Sequence, residues 1–167
     1  MITPGFVRMM AGYNTYMNGE IYAAAARLTE EARRADRGAF WGSIHGTLSH
    51  LVWGDQMWMS RFAGWDAPGV TLKESHSLMP DFAAMHAVRP DMDARLEAWA
   101  ANVEEDWLDA DQTWFSGATQ KEVRRPRAAL VTHMFNHQTH HRGQVHAMIT
   151  AAGERTADTD LWRVVAG

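Results

Sequence analysis

Residues 126–152 read PRAALVTHMFNHQTHHRGQVHAMITAA. A proline in the first turn of a helix loses no hydrogen bond, and Gly153 supplies a common stop after the last turn. Between these ends, apolar residues and two histidines follow one another at spacings of three and four, which is typical of a helix with one buried face. We therefore predict that this stretch is the longest uninterrupted helix of the chain.

Three further helices are predicted, separated by connecting segments that contain proline and glycine. The first begins at the Thr3-Pro4 pair and continues to about residue 35. The second spans residues 39–62, and the third runs from about residue 80 to 109, with Pro90 expected to bend or divide it.

The segments that connect these helices are expected to be irregular. Residues 64–79 are typical of an ordered loop, 110–125 of a hairpin or extended excursion, and the tail from Thr156 of a short helix or strap. Four long helices in 167 residues predict an all-α four-helix bundle that forms a single domain over residues 1–167.

Composition excludes several function classes. The 16 Lys and Arg residues stand against 20 Asp and Glu residues, and a net charge of -4 is the wrong sign for a protein that neutralises phosphates. We therefore expect no nucleic-acid partner. No stretch approaches the roughly 18 apolar residues that cross a bilayer, and the start lacks the apolar region of a signal peptide. We expect a cytoplasmic protein that makes no use of a membrane.

The chain has no cysteine and nine histidines, four of them within residues 133–141. The lack of cysteine excludes disulfides, thiolate metal ligands and a cysteine nucleophile. On a helical wheel measured from His133, His137 lies at about 40° and His141 at about 80°, inside the apolar stripe. His140 and His146 point elsewhere, and His133 flanks the stripe.

His137 and His141 have the i, i+4 spacing that lets two imidazoles bind one ion. The alternative is that they are hydrogen-bonded core histidines, but burying two unpaired imidazoles is costly. A third ligand must then come from another helix. The candidates are His45, His50, Asp55, His76 and His86.

His50 is centrally placed on the second helix, yet it faces away from the densest apolar stripe of that helix. This helix is therefore expected to be buried on two sides, one facing the bundle and the other a partner subunit.

The segment from His137 to His141 also has the ligand spacing of the zinc-protease motif His-Glu-x-x-His. In this chain Gln138 occupies the position of the glutamate that acts as general base in those enzymes. An amide cannot accept the proton, so we do not expect a protease.

Residues 136–144, NHQTHHRGQ, resemble the signature of the DinB-like damage-inducible family. Similar matches are Tyr13-Asn14 and the segment 42–50, GSIHGTLSH, which leads into Asp55 and Trp58. The resemblance covers nearly the whole chain. It implies a four-helix bundle, commonly a homodimer, with one divalent metal ion on three histidines.

Carried over by position, the ligands implied by this resemblance are His50, His137 and His141. Imidazole ligands suit several divalent ions, of which Zn and Ni are our first expectations. Tyr13, Asn14 and Gln144 are polar groups that could orient a substrate or the ligands.

Some relatives in the wider superfamily are thiol-dependent S-transferases or isomerases. The resemblance therefore implies a metal-dependent enzyme that activates a thiol cosubstrate or water, in the manner of an S-transferase, isomerase or hydrolase. Any thiol must come from outside, because the chain has no cysteine. The alternative is a non-catalytic dimeric bundle with a structural or sensory metal, linked to a stress response.

Overall fold

The computed structural model describes residues 1–117 and 119–164. Its elements are, in order, α1 (Pro4–Ala26), α2 (Glu30–Arg34), α3 (Ile44–Ala63), a 3-10 helix (Leu72–Ser77), α4 (Phe82–Ala101), α5 (Glu105–Asp109), β1 (Asp111–Ser116), β2 (Lys121–Pro126), α6 (Arg127–Ala151) and α7 (Leu161–Val164). The long helices α1, α3, α4 and α6 pack together, with α1 against α4 and α6, and α3 against α6 and α4. This architecture confirms the predicted all-α four-helix bundle.

The predicted hairpin before the last helix is also present. Strands β1 and β2 pair antiparallel, with Asp111 opposite Pro126 and Trp114 opposite Val123. Helix α6 then begins at Arg127, one residue after the predicted start, and is the longest helix in the described residues. The short α7 agrees with the expected helix in the tail.

Two predicted boundaries were wrong because local caps interrupt the helical pattern. The first helix ends at Ala26, not near residue 35, since the Thr29 side chain accepts a hydrogen bond from the Ala32 amide and starts a separate α2. The second begins at Ile44, not at residue 39. Ser43 caps it there by accepting a hydrogen bond from the Gly46 amide, directly after Gly42 at a φ of 74°.

The third predicted helix is shorter at both ends. Helix α4 starts at Phe82, where the Asp81 carboxylate caps the Ala84 amide, and it ends at Ala101, with α5 separate. Pro90 lies inside α4 without dividing it. The packing of α4 against α1 therefore outweighs the cost of an internal proline, which is about 3 kcal/mol.

Helix α3 is buried on two sides, as expected, but the second side is covered by the chain itself. The 3-10 helix packs on α3, where Ser49 Oγ donates to the Ser75 carbonyl at 2.9 Å and Trp53 Nε1 donates to the Val70 carbonyl at 2.9 Å. The burial of this side is therefore no argument for a partner subunit. Among the described residues, no helix has the length and apolar character needed to cross a membrane.

Candidate metal centre

Three histidines from two helices meet inside the bundle. His50 lies in the middle of α3, and His137 and His141 lie one turn apart on α6. Their potential ligand nitrogens all lie within 4.8 Å of one another, and the Nε2 atoms of His50 and His137 are 2.9 Å apart. The geometry thus brings together the two histidines predicted from their spacing and the third, His50, that the family resemblance implies.

A glycine on α3 lets the two helices approach each other at this point. A Cβ atom added at Gly54 would lie 3.0 Å from Cε1 of His137, which is closer than side chains normally pack. Gly54 is one turn beyond His50 on the same helix. The absence of a side chain there allows the imidazole of His137 to reach His50.

The imidazole of His50 is held by neighbours outside the cluster. Its Nδ1 lies 2.8 Å from Ser75 Oγ, and its ring stacks on Trp41 with centroids 4.2 Å apart. Trp53 stacks on the same imidazole at 5.9 Å. These contacts leave Nε2 of His50 facing His137 and His141.

His141 is oriented from its own helix. Its Nδ1 lies 2.8 Å from Gln144 Oε1, and because an amide oxygen only accepts, Nδ1 donates and Nε2 keeps its lone pair. Gln144 is one of the three polar residues that were expected to orient the ligands or a substrate, and it contacts the candidate ligand His141.

The other two polar candidates are engaged elsewhere. Tyr13 donates to the Thr159 carbonyl at 2.6 Å, and Asn14 accepts from Arg142. These bonds join α1 to the C-terminal segment and to α6. Both bonds stabilise the packing of α1 against the rest of the chain, and neither involves an imidazole.

Burial and mutual proximity keep the cluster neutral. Burial, together with the neighbouring histidines, lowers the pKa of both His50 and His137 to about 3. Burial also lowers the pKa of His141. All three imidazoles are therefore unprotonated at neutral pH, which is the state that binds metal.

The residues present fit a divalent transition metal. Neutral imidazoles bind such ions through one nitrogen at about 2.0 to 2.1 Å, and their other nitrogen commonly donates to an outer partner. Ser75 and Gln144 stand at the other nitrogen of His50 and His141. A purely imidazole donor set suits Zn, Ni, Cu or Fe.

The remaining candidates for a third ligand lie apart. Nε2 of His45 is 2.7 Å from the Met79 carbonyl, Asp55 is paired with Arg89, and the ring of His86 packs against Tyr22 and Phe82. The ring of His76 stacks on Trp41, with centroids 6.1 Å apart. In the part of the chain that the structure describes, His50, His137 and His141 are the one three-residue group with metal-binding spacing.

A set of buried polar residues beside the cluster was not predicted as such. Its members are Asn14, Asn18, Asp55, Arg89, Asp93, Gln138 and Arg142. Asp55 lies on the apolar stripe of α3 and Gln138 between apolar positions of α6, so a charged or amide side chain on a buried stripe was the available signal. Their partners lie on other helices, which the sequence pattern does not identify.

The chain is similar to known proteins over most of its length. The sequence model of the DinB family matches residues 1–165. The protein named Protein DinB from Bacillus subtilis (strain 168) is 24% identical over 163 residues, which cover 89% of this chain and 87% of that protein. No solved structure gives a significant match.

Proposed function

The chain belongs to the DinB family, and on that premise we propose that it binds one divalent transition metal ion through His50, His137 and His141. The supporting observation is the convergence of three neutral imidazoles within 4.8 Å, two of them with an outer hydrogen-bond partner. Zn and Ni are the proposed ions, since imidazole ligands suit both.

We propose further that the site is catalytic. A cation on three protein ligands leaves one position for water or a thiolate and lowers the pKa of the group bound there. The proposed reaction is the activation of a small thiol, or of water, toward a small electrophile. The thiol must be a cosubstrate, because the sequence has no cysteine.

The residues of the chain would hold this site in place. Ser75 and Gln144 fix the ring orientations of His50 and His141, and Trp41 covers one imidazole face. The stacked indole fixes the plane of the His50 imidazole, and because Ser75 occupies Nδ1, Nε2 is the nitrogen left for the ion.

Metal analysis of the purified protein tests the proposal. We expect about one Zn or Ni ion per chain, and we expect His137→Ala to lose it because two imidazoles hold an ion far less tightly than three. His146→Ala, which removes a histidine of the same helix outside the cluster, is the control. The proposal fails if the wild-type protein takes up no divalent metal, or if His137→Ala retains it.

The alternative function is non-catalytic, with a structural or sensory metal. It is favoured by one observation: the three ligands join α3 to α6, so a bound ion would cross-link two helices of the bundle. Chelation separates the two functions. A structural metal predicts partial unfolding on chelation, whereas a catalytic metal predicts loss of activity toward thiol-dependent substrates with the helices retained.

We also propose that two copies of the chain associate, as is common in the proteins it resembles. Sedimentation equilibrium at micromolar protein concentration tests this. A dimer mass is expected, and a monomer mass would contradict the proposal.

A further inference from the structure

Asp55 and Gln138 join the two helices that carry the histidines. Gln138 directly follows His137 on α6, and Asp55 directly follows Gly54, against which the ring of His137 packs. Nε2 of Gln138 donates a hydrogen bond to Oδ1 of Asp55, and both side chains are buried. On each helix this hydrogen bond lies one residue beyond the contact between Gly54 and His137.

The other carboxylate oxygen of Asp55 is held from a third helix. Nη1 of Arg89 on α4 lies 2.7 Å from Oδ2 of Asp55, and Nη2 of Arg89 lies 2.8 Å from Oδ1 of Asp93. Nδ2 of Asn18 on α1 donates to that same oxygen of Asp93 at 2.8 Å. One chain of buried contacts therefore runs through all four long helices.

Burying charged groups in a network of this kind costs free energy, because they lose their hydration. Arg89, Asp55 and Asp93 are each only 2–3% exposed, and burial raises the pKa of Asp93 to about 6. Packed apolar side chains often give a fold as much stability as a buried ion pair does. What directional hydrogen bonds add is a fixed separation and register between the elements they join.

We propose that Gln138 and Asp55 are positioning residues for the metal site, with Arg89 holding Asp55 in place. Their hydrogen bond sets the separation of α3 and α6, and with it the distance from His50 to His137 and His141. This inference rests on the proposed metal site. It assigns a role to Gln138, which stands where zinc proteases carry a glutamate.

The identity of residue 138 follows from its partner. Oδ1 of Asp55 requires a donor, which the amide of glutamine supplies. A glutamate at this position would set a second carboxylate against Asp55 in a buried environment, where two like charges repel strongly. The side chain of Gln138 is therefore buried in the bundle, where it links α6 to α3.

Binding of Co²⁺ to the full chain tests the inference, because Co²⁺ accepts nitrogen ligands and reports its coordination by visible absorption. In Gln138→Leu, we expect Co²⁺ affinity to fall about 10- to 100-fold, the usual effect of losing an outer partner, and the absorption bands to shift. Gln138→Asn keeps the amide but withdraws it by one methylene, and the same direction is expected. This milder variant serves if Gln138→Leu does not fold.

The matched control is Leu96→Ala on α4. Leu96 is 1% exposed, lies in an apolar core cluster with Met59, Ala100 and Phe135, and supplies no polar group to this network, so the variant loses stability without removing the Gln138–Asp55 hydrogen bond. Melting of the metal-free proteins measures how far each variant is destabilised, so that the Co²⁺ affinities are compared at known stability. Leu96→Ala should bind Co²⁺ with wild-type affinity and spectrum.

The outcomes separate this inference from the proposed function. If the wild-type chain binds no Co²⁺, the metal site itself is wrong. If the wild-type chain binds it, and the Gln138 variants bind it with unchanged affinity and spectrum, only the positioning role is overturned. An equal loss in Leu96→Ala would likewise overturn it, since the effect would then follow from stability alone.

Discussion

The Nε2 atoms of His50 and His137 face each other at 2.9 Å, although the residues are 87 positions apart in the chain. At this separation one neutral imidazole donates its Nε2–H to the other, or both Nε2 lone pairs point at a shared cation. Burial disfavours the protonated form, as the lowered pKa values of both residues indicate. Both imidazoles are therefore neutral at neutral pH, and where Ser75 accepts from Nδ1 of His50, the Nε2 lone pair of that ring is available to a cation.

The pH dependence of the metal-free protein follows from these lowered pKa values. In the unfolded chain the histidines take up protons near pH 6.5, whereas His50 and His137 in the folded protein do so only near pH 3. The unfolded state binds more protons between these values, so stability is complete above about pH 6.5 and is lost as the pH falls toward 3. Urea unfolding of the protein, made metal-free with a chelator, at pH 7.5 and pH 5 should show this loss of stability.

His137→Gln is expected to reduce that acid sensitivity, because it removes one of the depressed groups and relieves the other. His146→Gln, on the same helix but outside the cluster, should leave the sensitivity unchanged. An equal loss of stability between pH 7.5 and pH 5 in His137→Gln and the wild type would contradict the assignment.

Gly54→Ala should weaken metal binding while leaving the fold intact. The new Cβ would lie 3.0 Å from Cε1 of His137, so the imidazole must shift by a few tenths of an ångström from its present position. We expect metal affinity, measured by competition with a chelator, to fall about tenfold or more, as when a ligand loses its proper orientation.

The control for this variant is Gly143→Ala on α6. A Cβ at Gly143 meets nothing within 4 Å, so the change should raise helix stability by up to about 1 kcal/mol without altering metal affinity. Unchanged metal affinity in Gly54→Ala would show that the close approach of the glycine to His137 has no bearing on the site.

Local signals explain which parts of the fold were predictable. The proline before α6 and the glycine after it act within a few positions, and the structure matches both. The break between α1 and α2 was missed because one Thr29 hydrogen bond decides it. Helical periodicity alone continues across that joint.

The site was predictable for a different reason. The i, i+4 pair of His137 and His141 is a local pattern, whereas His50 was chosen by resemblance, because its helix shows a denser apolar stripe on another face. The structure explains this conflict, since α3 is covered on that side and also by the 3-10 helix. The salt bridge from Arg89 to Asp55 spans 34 positions and two helices, so no local pattern reveals it.

Ser75→Ala should lower metal affinity through His50. The hydroxyl of Ser75 lies 2.8 Å from Nδ1 of His50, and its loss leaves a buried imidazole nitrogen without a partner. The expected loss of affinity is about 10- to 100-fold, with a cost of about 1–3 kcal/mol in the free energy of unfolding. The Ser75 carbonyl, which accepts from Ser49, is retained in this variant.

Ser77→Ala is the matched control on the same 3-10 helix. Its hydroxyl donates to the Glu74 carbonyl at 2.9 Å and is exposed, so its loss should change neither affinity nor stability by much. Isothermal titration calorimetry of both variants, made metal-free with a chelator and titrated with Zn²⁺, measures the difference in metal affinity. Equal affinities for Ser75→Ala and the wild type would remove Ser75 from the site.

Adding metal to the metal-free protein should raise its melting temperature in proportion to the logarithm of the metal concentration. An ion that binds only the folded chain stabilises it by about 2.7 kcal/mol at 100 times its Kd, and it does so by mass action whatever the ion's role. His137→Ala should lose this shift, because a principal ligand is gone, while His86→Ala should keep it, since His86 packs against Tyr22 and Phe82 away from the cluster. Differential scanning fluorimetry over a Zn²⁺ series gives the result directly. A shift of equal size in His137→Ala would place the bound ion elsewhere on the chain.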